Sequence, residues 1–487
     1  MGLRFFNTMG RKIEEFIPIQ KNFVGFYGCG PTVYNYAHIG NLRAYVFLDL
    51  LDRTLTYFGF QKKHVMNITD IGHLSGDSDS GEDKMLKTAS ERHQSVLEVA
   101  DFYTKAFFRD IDSLNIRRPD VVCKATEHVD EMISLIKKIE ANGHTYFSGG
   151  NLYFDVSTFP KYGELANLNL SDLKAGARVQ VDENKKNPYD FVLWFTKSKF
   201  EDQALTWESP WGKGYPGWHI ECSAMSMKYL GEQFDIHTGG IDHIPIHHTN
   251  EIAQSEGATG KKWVNYWLHN EFLVIGKDKN AKMSKSSGNF LTLQSLVDSG
   301  FAPLDYRYFL LGAHYRNQIF FSNEAMESAK SSRASLEKKV ATILKNANKK
   351  PLPLEKISAS AKNYRAEFAS ALENDLASPK ALSILQTAIK DGTLSSEETL
   401  TLVEDFDKVL GLQIIEEAKK ILNENDAPNF QSDISDEEKN EIENLLAKRS
   451  EAKKQKDFAT ADKIRNELLS RGITIIDTKN GAIWKKS

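Results

Sequence analysis

The sequence predicts an α/β protein with a Rossmann-like parallel sheet, an inserted mixed α/β segment, an α-helical region and a small C-terminal module. A β-branched and aromatic run at 23–27 leads into the glycine turn 28–31, and a helix and a second strand follow. A strand ending in glycines recurs at 234–240, and the chain beyond Phe290 has helical periodicity. Repeated strand, turn, helix and strand units are typical of parallel sheets, which bind ligands beyond the carboxyl ends of their strands.

The individual elements follow from apolar periodicity and from the glycines that end each pattern. Strands are predicted at 23–27, 64–68, 152–156, 234–237 and 266–275. Helices are predicted at 38–58, 84–114, 126–142 and 247–257. No convincing strand is predicted between Phe290 and Ile473. The predicted domains are the first half of the sheet domain at 1–122, the inserted segment at 123–215, the second half of the sheet domain at 216–300, the helical region at 301–425 and the C-terminal module at 431–487.

Composition is that of an ordinary globular chain, with 487 residues, 41% hydrophobic and 26% charged residues and a net charge of -4. The apolar run 45–58 is interrupted by Asp49, Asp52 and Arg53, so it cannot span a bilayer. Residues 1–15 lack the apolar core of a signal peptide. We therefore expect a cytoplasmic protein without membrane contacts. Three widely separated cysteines make a disulfide framework unlikely and leave free thiols or metal ligands.

The segment 218–256 concentrates metal-ligating residue types. It contains Cys222, His237, His243, His247, His248 and Glu251. Residues three or four apart share a helix face, so Glu251 can meet an imidazole from either His247 or His248, and spacing does not choose between them. Cys222 offers a thiolate, and Cys29, at the end of the first strand, offers a second one. Two sulfurs, one nitrogen and one carboxylate oxygen make a donor set that zinc accepts.

Two further motifs indicate a nucleotide site. His38, Gly40 and Asn41 stand at a predicted helix start, where free N–H groups favour anions. The loop 281–289 carries Lys282 and Lys285 among serines, which suits a polyphosphate. A capping turn and a solvated loop are the simpler interpretations of each motif alone. Together, however, they are the paired nucleotide signatures of class I aminoacyl-tRNA synthetases.

Over nearly its whole length the chain resembles the cysteinyl-tRNA synthetase family. The matching segments are 26–34, 67–70, 188–194, 217–225, 250–255, 282–289 and, towards the C-terminus, 457–484. The resemblance implies a ligase that activates L-cysteine with ATP and transfers it to the 3'-terminal adenosine of tRNA(Cys), as a monomer. It also implies one Zn2+ per chain, which binds the substrate thiolate and excludes serine, and Mg2+ with ATP.

The resemblance assigns the site residues by their positions in the motifs. It implies zinc ligands Cys29, Cys222, His247 and Glu251, a cysteine pocket of Thr69, Trp218 and His237, catalytic residues His38, Lys282 and Lys285, and ATP contacts from His38, Gly40, Asn41, Asp242, Lys282, Met283, Ser284, Lys285 and Ser286. One position departs from the family pattern, because Asn41 stands where a second histidine is usual.

The C-terminal module supplies basic residues in a chain that is acidic overall. They are Lys448, Arg449, Lys453, Lys454, Lys456, Lys463, Arg465, Lys485 and Lys486. Phosphate contacts from such residues give affinity for RNA, and Trp484 is a candidate to stack on an unpaired base. By resemblance, residues 301–425 form a stem-contact region and helical bundle, and residues 431–487 form an anticodon-recognition module.

The sequence leaves two other functions open. One is a zinc-dependent ligase that joins activated cysteine to an amino sugar. The other is a non-catalytic paralogue that binds nucleotide or RNA as a regulator. The long helical region and the basic end module argue against the first, and the zinc ligands and loop lysines argue against the second.

Overall fold

The computed structural model describes residues 2–71, 74–76, 80–168, 183–197, 205–275, 291–346, 350–426, 436–455, 457–478 and 481–486. The chain forms two compact units, Met1–Ala418 and Lys419–Ser487. No helix among the described residues is both long enough and apolar enough to cross a membrane.

The strands are β1 (Arg4–Asn7), β2 (Lys12–Glu15), β3 (Phe23–Gly28), β4 (Gln61–Ile68), β5 (Leu74–Gly76), β6 (Ser80–Asp83), β7 (Val121–Lys124), β8 (Thr145–Ser148), β9 (Asn151–Phe154), β10 (Phe191–Phe195), β11 (Tyr215–Pro216), β12 (Phe234–Gly240), β13 (Val264–Asn270), β14 (Leu273–Ile275), β15 (Ile319–Phe321), β16 (Ile473–Thr478) and β17 (Gly481–Lys486).

The helices are α1 (Ile39–Tyr57), α2 (Lys84–Arg92), α3 (Val96–Ser113), α4 (Val129–Ala141), α5 (Trp218–Leu230), α6 (Thr249–Thr259), α7 (Leu293–Asp298), α8 (Pro303–Leu311), α9 (Asn323–Asn346), α10 (Ala359–Glu373), α11 (Ser378–Lys390), α12 (Ser396–Leu410), α13 (Ile414–Asp426), α14 (Asp436–Lys454) and α15 (Phe458–Ser470).

The first unit is built on a five-stranded sheet in the order β13-β12-β3-β4-β7, in which every neighbouring pair is parallel. Side chains alternate between the two faces of a strand. A side chain at Gly25 would meet Leu230 of α5, whereas one at Gly28 would meet Leu48 of α1. The two helices therefore cover opposite faces, and the predicted Rossmann-like parallel sheet with helices is confirmed.

Helix α1 begins at the carboxyl edge of this sheet because its first turn is capped. The ring of His38 accepts a hydrogen bond from the backbone N–H of Asn41, and the Asn41 side chain accepts one from the backbone N–H of His38. This reciprocal pair satisfies two N–H groups that a helix start leaves free. Leu42, Leu51 and Leu55 are fully buried and hold the helix against the core.

The inserted segment contains an antiparallel sheet in the order β11-β10-β9-β8. All five residues of β10 are buried, and the rings of Phe154 and Phe191 stack with their centroids 5.1 Å apart. The Tyr162 hydroxyl donates to the Asn250 side chain at 2.7 Å, which ties the segment to α6. The insertion is thus packed against the half of the sheet domain that carries the histidines.

Several sequence-based elements differ from the structure. The predicted helix 84–114 is two helices, because His93 takes a positive φ of 53° and Ser95 caps α3 through a capping box. The predicted strand 266–275 is split into β13 and β14, which belong to different sheets. The prediction of no strand between Phe290 and Ile473 is wrong, since β15 pairs with β14. The hairpin of β1 and β2 and the fifth sheet strand β7 were not anticipated.

A buried charge network joins α1 to the helical region of the first unit. Asp49 and Arg307 have fully buried side chains, and their charged groups lie 2.5 Å apart. Arg53 Nε also contacts Asp49, at 2.7 Å, and the other Asp49 oxygen accepts the backbone N–H of Arg117 at 2.8 Å. Arg307 in turn donates to the backbone oxygen of Leu410 at 2.7 Å. One carboxylate therefore balances two guanidinium groups in the interior.

The second unit has its own small core. Helices α14 and α15 and the antiparallel pair β16-β17 enclose Ile442, Leu446, Ile464, Leu468 and Ile473. Lys448, Lys463 and Arg465 are exposed, as a basic surface requires. Arg449 is only 4% exposed, so its predicted place on that surface is wrong. Trp484 is half-buried and packs against the same core.

Candidate active site and metal centre

A cavity of about 930 Å3 opens at the carboxyl edge of the five-stranded sheet. Parallel strands place their carboxyl ends at one edge, which is the usual ligand position in such sheets. The cavity is lined by the turn after β3, the start of α1, the ends of β12 and β13, and the first turns of α5. Its volume lies in the range of small-molecule sites.

The four predicted metal ligands meet at one end of this cavity. Cys29 follows β3 directly, Cys222 lies in the second turn of α5, and Glu251 lies in the first turn of α6. His247 belongs to a π-helical turn that runs into α6, so its ring projects beside Glu251. One donor atom from each of the four residues lies within 4.8 Å of the others. Three of the four side chains are buried, and Cys29 is half-buried.

A second group of potential ligands overlaps the first. It contains Cys29, His237, His248 and Glu251, again with donor atoms within 4.8 Å of one another. Cys29 and Glu251 are common to both groups, and the two Glu251 oxygens lie 2.6 Å from His247 Nε2 and 2.6 Å from His237 Nε2. Cys29 Sγ lies 3.4 Å from His248 Nε2. The geometry therefore brings together the predicted ligands and also the histidine alternative that spacing left open.

The electrostatics of the cluster favour the ionised forms of Glu251 and Cys222. Burial works against ionisation of Glu251, but the neighbouring rings of His247 and His237 outweigh it and hold the pKa of this carboxyl at about 2. Burial also disfavours the imidazolium of His247, yet Glu251 and Cys222 raise the pKa of this ring to about 10. Cys29 donates to the sulfur of Cys222 and lowers the pKa of Cys222 to about 6, whereas burial raises the pKa of Cys29.

The donor set fits a zinc ion. Zinc takes thiolate sulfur, imidazole nitrogen and carboxylate oxygen together, usually with four ligands. Burying so many ionisable groups in one place is costly unless their charges are compensated, and a bound dication would replace the protons that the acids otherwise share. Cys123, the third cysteine, is buried but belongs to neither donor group, because its sulfur donates to the Met66 backbone oxygen.

Histidines outside the predicted set of zinc ligands form hydrogen bonds with histidines of the cluster. His219 Nδ1 lies 2.9 Å from His247 Nδ1. His248 Nδ1 lies 2.7 Å from His269 Nε2, and His269 Nδ1 lies 2.7 Å from the Thr8 hydroxyl. Hydrogen bonds of this kind fix ring orientation and tautomer beside a metal site. Sequence reasoning missed His269 and Thr8, because nothing in local spacing connects the N-terminal hairpin to β13.

Two of the three predicted substrate residues, Thr69 and Trp218, line the cavity, whereas His237 is fully buried and does not. Thr69 donates to Glu221 Oε2 at 3.0 Å and is held by Asn67 at 3.0 Å. The Trp218 ring lies over His247, with ring centroids 4.4 Å apart. His237 stacks on Trp267 with ring centroids 4.7 Å apart, and its Nε2 lies 2.6 Å from Glu251 Oε2. It therefore lies deeper in the protein than Thr69 and Trp218. A small side chain entering here meets sulfur, imidazole and indole groups.

Four of the predicted nucleotide residues, His38, Gly40, Asn41 and Asp242, line the same cavity. Because His38 Nδ1 accepts the Asn41 N–H, the ring proton of His38 belongs on Nε2, which can donate to a phosphate oxygen. Asp242 is exposed in a short turn after β12. Lys282, Met283, Ser284, Lys285 and Ser286 lie outside the described residues.

Close backbone contacts at the site require glycine at two positions. A Cβ on Gly30 would lie 1.6 Å from the backbone oxygen of Asn67, which no side-chain movement can relieve. A Cβ on Gly239 would lie 2.7 Å from His248 Cε1. Without a side chain at Gly30, the turn that carries Cys29 packs directly against β4. Without a side chain at Gly239, there is room for His248.

Comparison with known proteins places this geometry in a family. Residues 15–331 match the family described as "tRNA synthetases class I (C) catalytic domain", and residues 435–484 match "Cysteinyl-tRNA ligase anticodon binding domain". A cysteine--tRNA ligase of Treponema denticola is 58% identical over 501 residues, with 100% of both chains covered. The chain belongs to the cysteinyl-tRNA synthetase family. It is accordingly a ligase of the class I aminoacyl-tRNA synthetases, as the sequence motifs predicted.

Other relatives and a solved structure agree with this membership. Cysteine--tRNA ligases of Treponema pallidum and Borrelia turicatae are each 45% identical, over 521 and 496 residues, with 100% of each chain covered. A Mycobacterium tuberculosis methionyl-tRNA synthetase in complex with methionyl-adenylate has a TM-score of 0.56 at 14% identity, covering 82% of this chain and 93% of that one. This last likeness is one of fold alone.

Proposed function

We propose that the chain activates L-cysteine with ATP and transfers the cysteinyl group to the 3'-terminal adenosine of tRNA(Cys). The observation that carries the proposal is the buried cluster of Cys29, Cys222, His247 and Glu251 at one end of a cavity whose other end is a capped helix start. Soft ligands at the metal cluster suit a substrate thiol, and the positive end of the α1 dipole suits phosphate.

Selection of cysteine over serine is assigned to these four ligands. Packing alone distinguishes groups of similar size by about 1–3 kcal/mol. A zinc ion held there binds a thiolate strongly and a neutral hydroxyl poorly. Thr69, Trp218 and His237 confine the space around the substrate side chain. Under this proposal the chain needs no separate hydrolytic site to remove serine.

In the first step the cysteine carboxylate oxygen attacks the α-phosphorus of ATP. A carboxyl–phosphorus bond forms, the bond from the α-phosphorus to the bridging oxygen breaks, and pyrophosphate leaves. His38 donates from Nε2, the start of α1 contributes the positive end of the helix dipole, and Lys282 and Lys285 balance phosphate charge, with Mg2+ accompanying ATP. Asp242 contacts the ribose. In the second step a ribose hydroxyl of the tRNA terminus, the 2'-hydroxyl for this class, attacks the carbonyl and releases AMP.

The reaction is tested by cysteine-dependent exchange of pyrophosphate into ATP, with serine measured side by side and zinc content determined on the same sample. We expect kcat/KM for cysteine to exceed that for serine by roughly a thousandfold or more, beyond the 10–200-fold that packing supplies. Removal of zinc is expected to abolish the cysteine reaction. Exchange that is absent with cysteine, or equal with both amino acids, would contradict the proposal.

Binding of tRNA is assigned to the helical region at 301–425 and the module at 431–487. Exposed Lys448, Lys463 and Arg465 support phosphate contacts in the module. Deletion of 433–487 is expected to leave pyrophosphate exchange within about twofold, because the cavity lies wholly in the first unit. Aminoacylation of tRNA should fall roughly tenfold or more as phosphate contacts are lost. An unchanged aminoacylation rate refutes this assignment.

The amino-sugar ligase is the less favoured alternative, because 100% of the chain aligns with relatives named as tRNA ligases. Consumption of the adenylate by an amino sugar instead of tRNA would reverse that preference. Assembly as a monomer and a cytoplasmic location remain predictions.

A further inference from the structure

Arg43 is a buried arginine that the proposed chemistry does not use. It lies in the second turn of α1 and is only 5% exposed. Its guanidinium donates to the backbone oxygens of Phe272 and Asn317, and to those of Tyr315 at 3.3 Å and His314 at 3.5 Å. The hydrogen-bond partners are thus backbone carbonyls from two separate segments of the chain, and the Glu271 carboxylate also favours the charge.

One of these partners, Phe272, belongs to a segment that lines the cavity. Phe272 stands between β13 and β14, and residues 270–273 all line the cavity. On the α1 side, Gly40, Asn41 and Ala44 line the same cavity. The Arg43 side chain therefore spans from the helix that carries one wall of the nucleotide end to the backbone that forms the other.

Other hydrogen bonds hold the first turn of α1 but do not make this link. The Tyr306 hydroxyl donates to the Ile39 backbone oxygen at 2.6 Å, and the Ile39 N–H donates to the Leu291 backbone oxygen at 2.8 Å. Both bonds fix the helix start from the side of α8 and α7. Arg43 adds a planar group with several donors, which a point charge such as lysine cannot replace at four carbonyls.

A purely structural explanation is energetically expensive. Burying a guanidinium is costly even when it is hydrogen-bonded, and apolar side chains of similar volume often fill such sites at no loss of stability. Burial lowers the pKa of Arg43 to about 10, so the group keeps its charge at neutral pH. The position of the charged Arg43 beside the proposed nucleotide site therefore indicates that Arg43 has a role in that site.

We propose that Arg43 is a positioning residue, which fixes the separation between the first turns of α1 and the segment 270–273 and so aligns the α-phosphate for attack. The inference rests on the proposed function and deepens it. A misplacement of about 1 Å at a reacting centre costs on the order of a hundredfold in rate. None of the four metal ligands is among the hydrogen-bond partners of Arg43, so we expect cysteine binding to change less than the rate.

The test uses the full-length protein with Arg43→Lys and Arg43→Gln, measured by cysteine-dependent pyrophosphate exchange. We expect kcat to fall about 10- to 100-fold while KM for cysteine changes less than about threefold. Arg333→Lys is the matched control, because Arg333 is 8% exposed and bonded to Asp305 and Glu337 between α8 and α9, away from the cavity lining. It should lower the unfolding temperature without changing kcat.

The outcomes separate this inference from the reaction itself. A wild-type chain without exchange overturns both. An active wild type with unchanged kcat in Arg43→Lys overturns the positioning role alone. Equal losses of kcat in the Arg43 and Arg333 variants, or a loss that appears as KM for cysteine, also overturns it, because general destabilisation would then account for the effect.

Discussion

Replacement of Cys222 by alanine is expected to weaken zinc binding by roughly a hundredfold or more and to remove the preference for cysteine over serine. Zinc sites of four ligands bind with about 10–16 kcal/mol, so one ligand is worth roughly 3 kcal/mol. Cys222 belongs to only one of the two donor groups, together with His247. Competition with a chromophoric chelator measures the affinity, and exchange with both amino acids measures selectivity.

Two control variants make the result specific. Cys123→Ala removes a buried thiol from the same apolar cluster but from neither donor group, so zinc affinity should stay within about twofold. His248→Ala removes a member of the alternative group only. If zinc used Cys29, His237, His248 and Glu251, then His248→Ala would release it and Cys222→Ala would not. That pattern would contradict the assignment of Cys222 and His247.

Neutralising Asp49 should cost the first unit about 3–5 kcal/mol, the usual loss when one partner of a buried ion pair is removed. Asp49→Asn keeps the shape of the side chain but removes the carboxylate that Arg307 and Arg53 both contact. We expect the free energy of unfolding to fall accordingly, measured by urea denaturation with circular dichroism as the signal.

An exposed pair of the same chemistry provides the control. Asp112 contacts Arg118 at 2.6 Å, and each side chain is 52% exposed. Solvent screens such pairs, so Asp112→Asn should change the free energy of unfolding by less than about 1 kcal/mol. Similar losses in both variants would show that burial of Asp49 is not the cause. Increased stability of Asp49→Asn would contradict the expected balance of charges.

The site was predictable where local spacing or a motif determines chemistry. Cys29 was expected at a strand end, and Glu251 beside His247 or His248, and the structure brings all of them together. Helical spacing could not choose between His247 and His248, because residues three and four positions away both face Glu251. In the structure each of these histidines belongs to one of the two groups of potential ligands. His269 and Thr8 depend on contacts between distant segments, which no local pattern records.

The fold was predictable to the level of strongly periodic elements. Strands β3, β4 and β12 are apolar runs that end in turns, and the parallel sheet follows from them. The short strand β15 was missed because three residues carry no period, and it forms only through pairing with β14. The break near His93 was missed because a residue other than glycine adopts a positive φ there. Asn41, which departs from the family pattern, takes part in the cap of α1.

The order of strands in the sheet also affects how the protein is made. Cys29 and His248 meet in space although 219 residues separate them in sequence. At about 5–20 residues per second, a ribosome needs roughly 10–40 s to add that length. During this interval the first thiol is synthesised without its partners, so the metal centre can be completed only after β12 and α6 have emerged. If zinc binds there as proposed, its loading follows synthesis of about the first half of the chain, because Glu251 is the last of the four ligands in sequence.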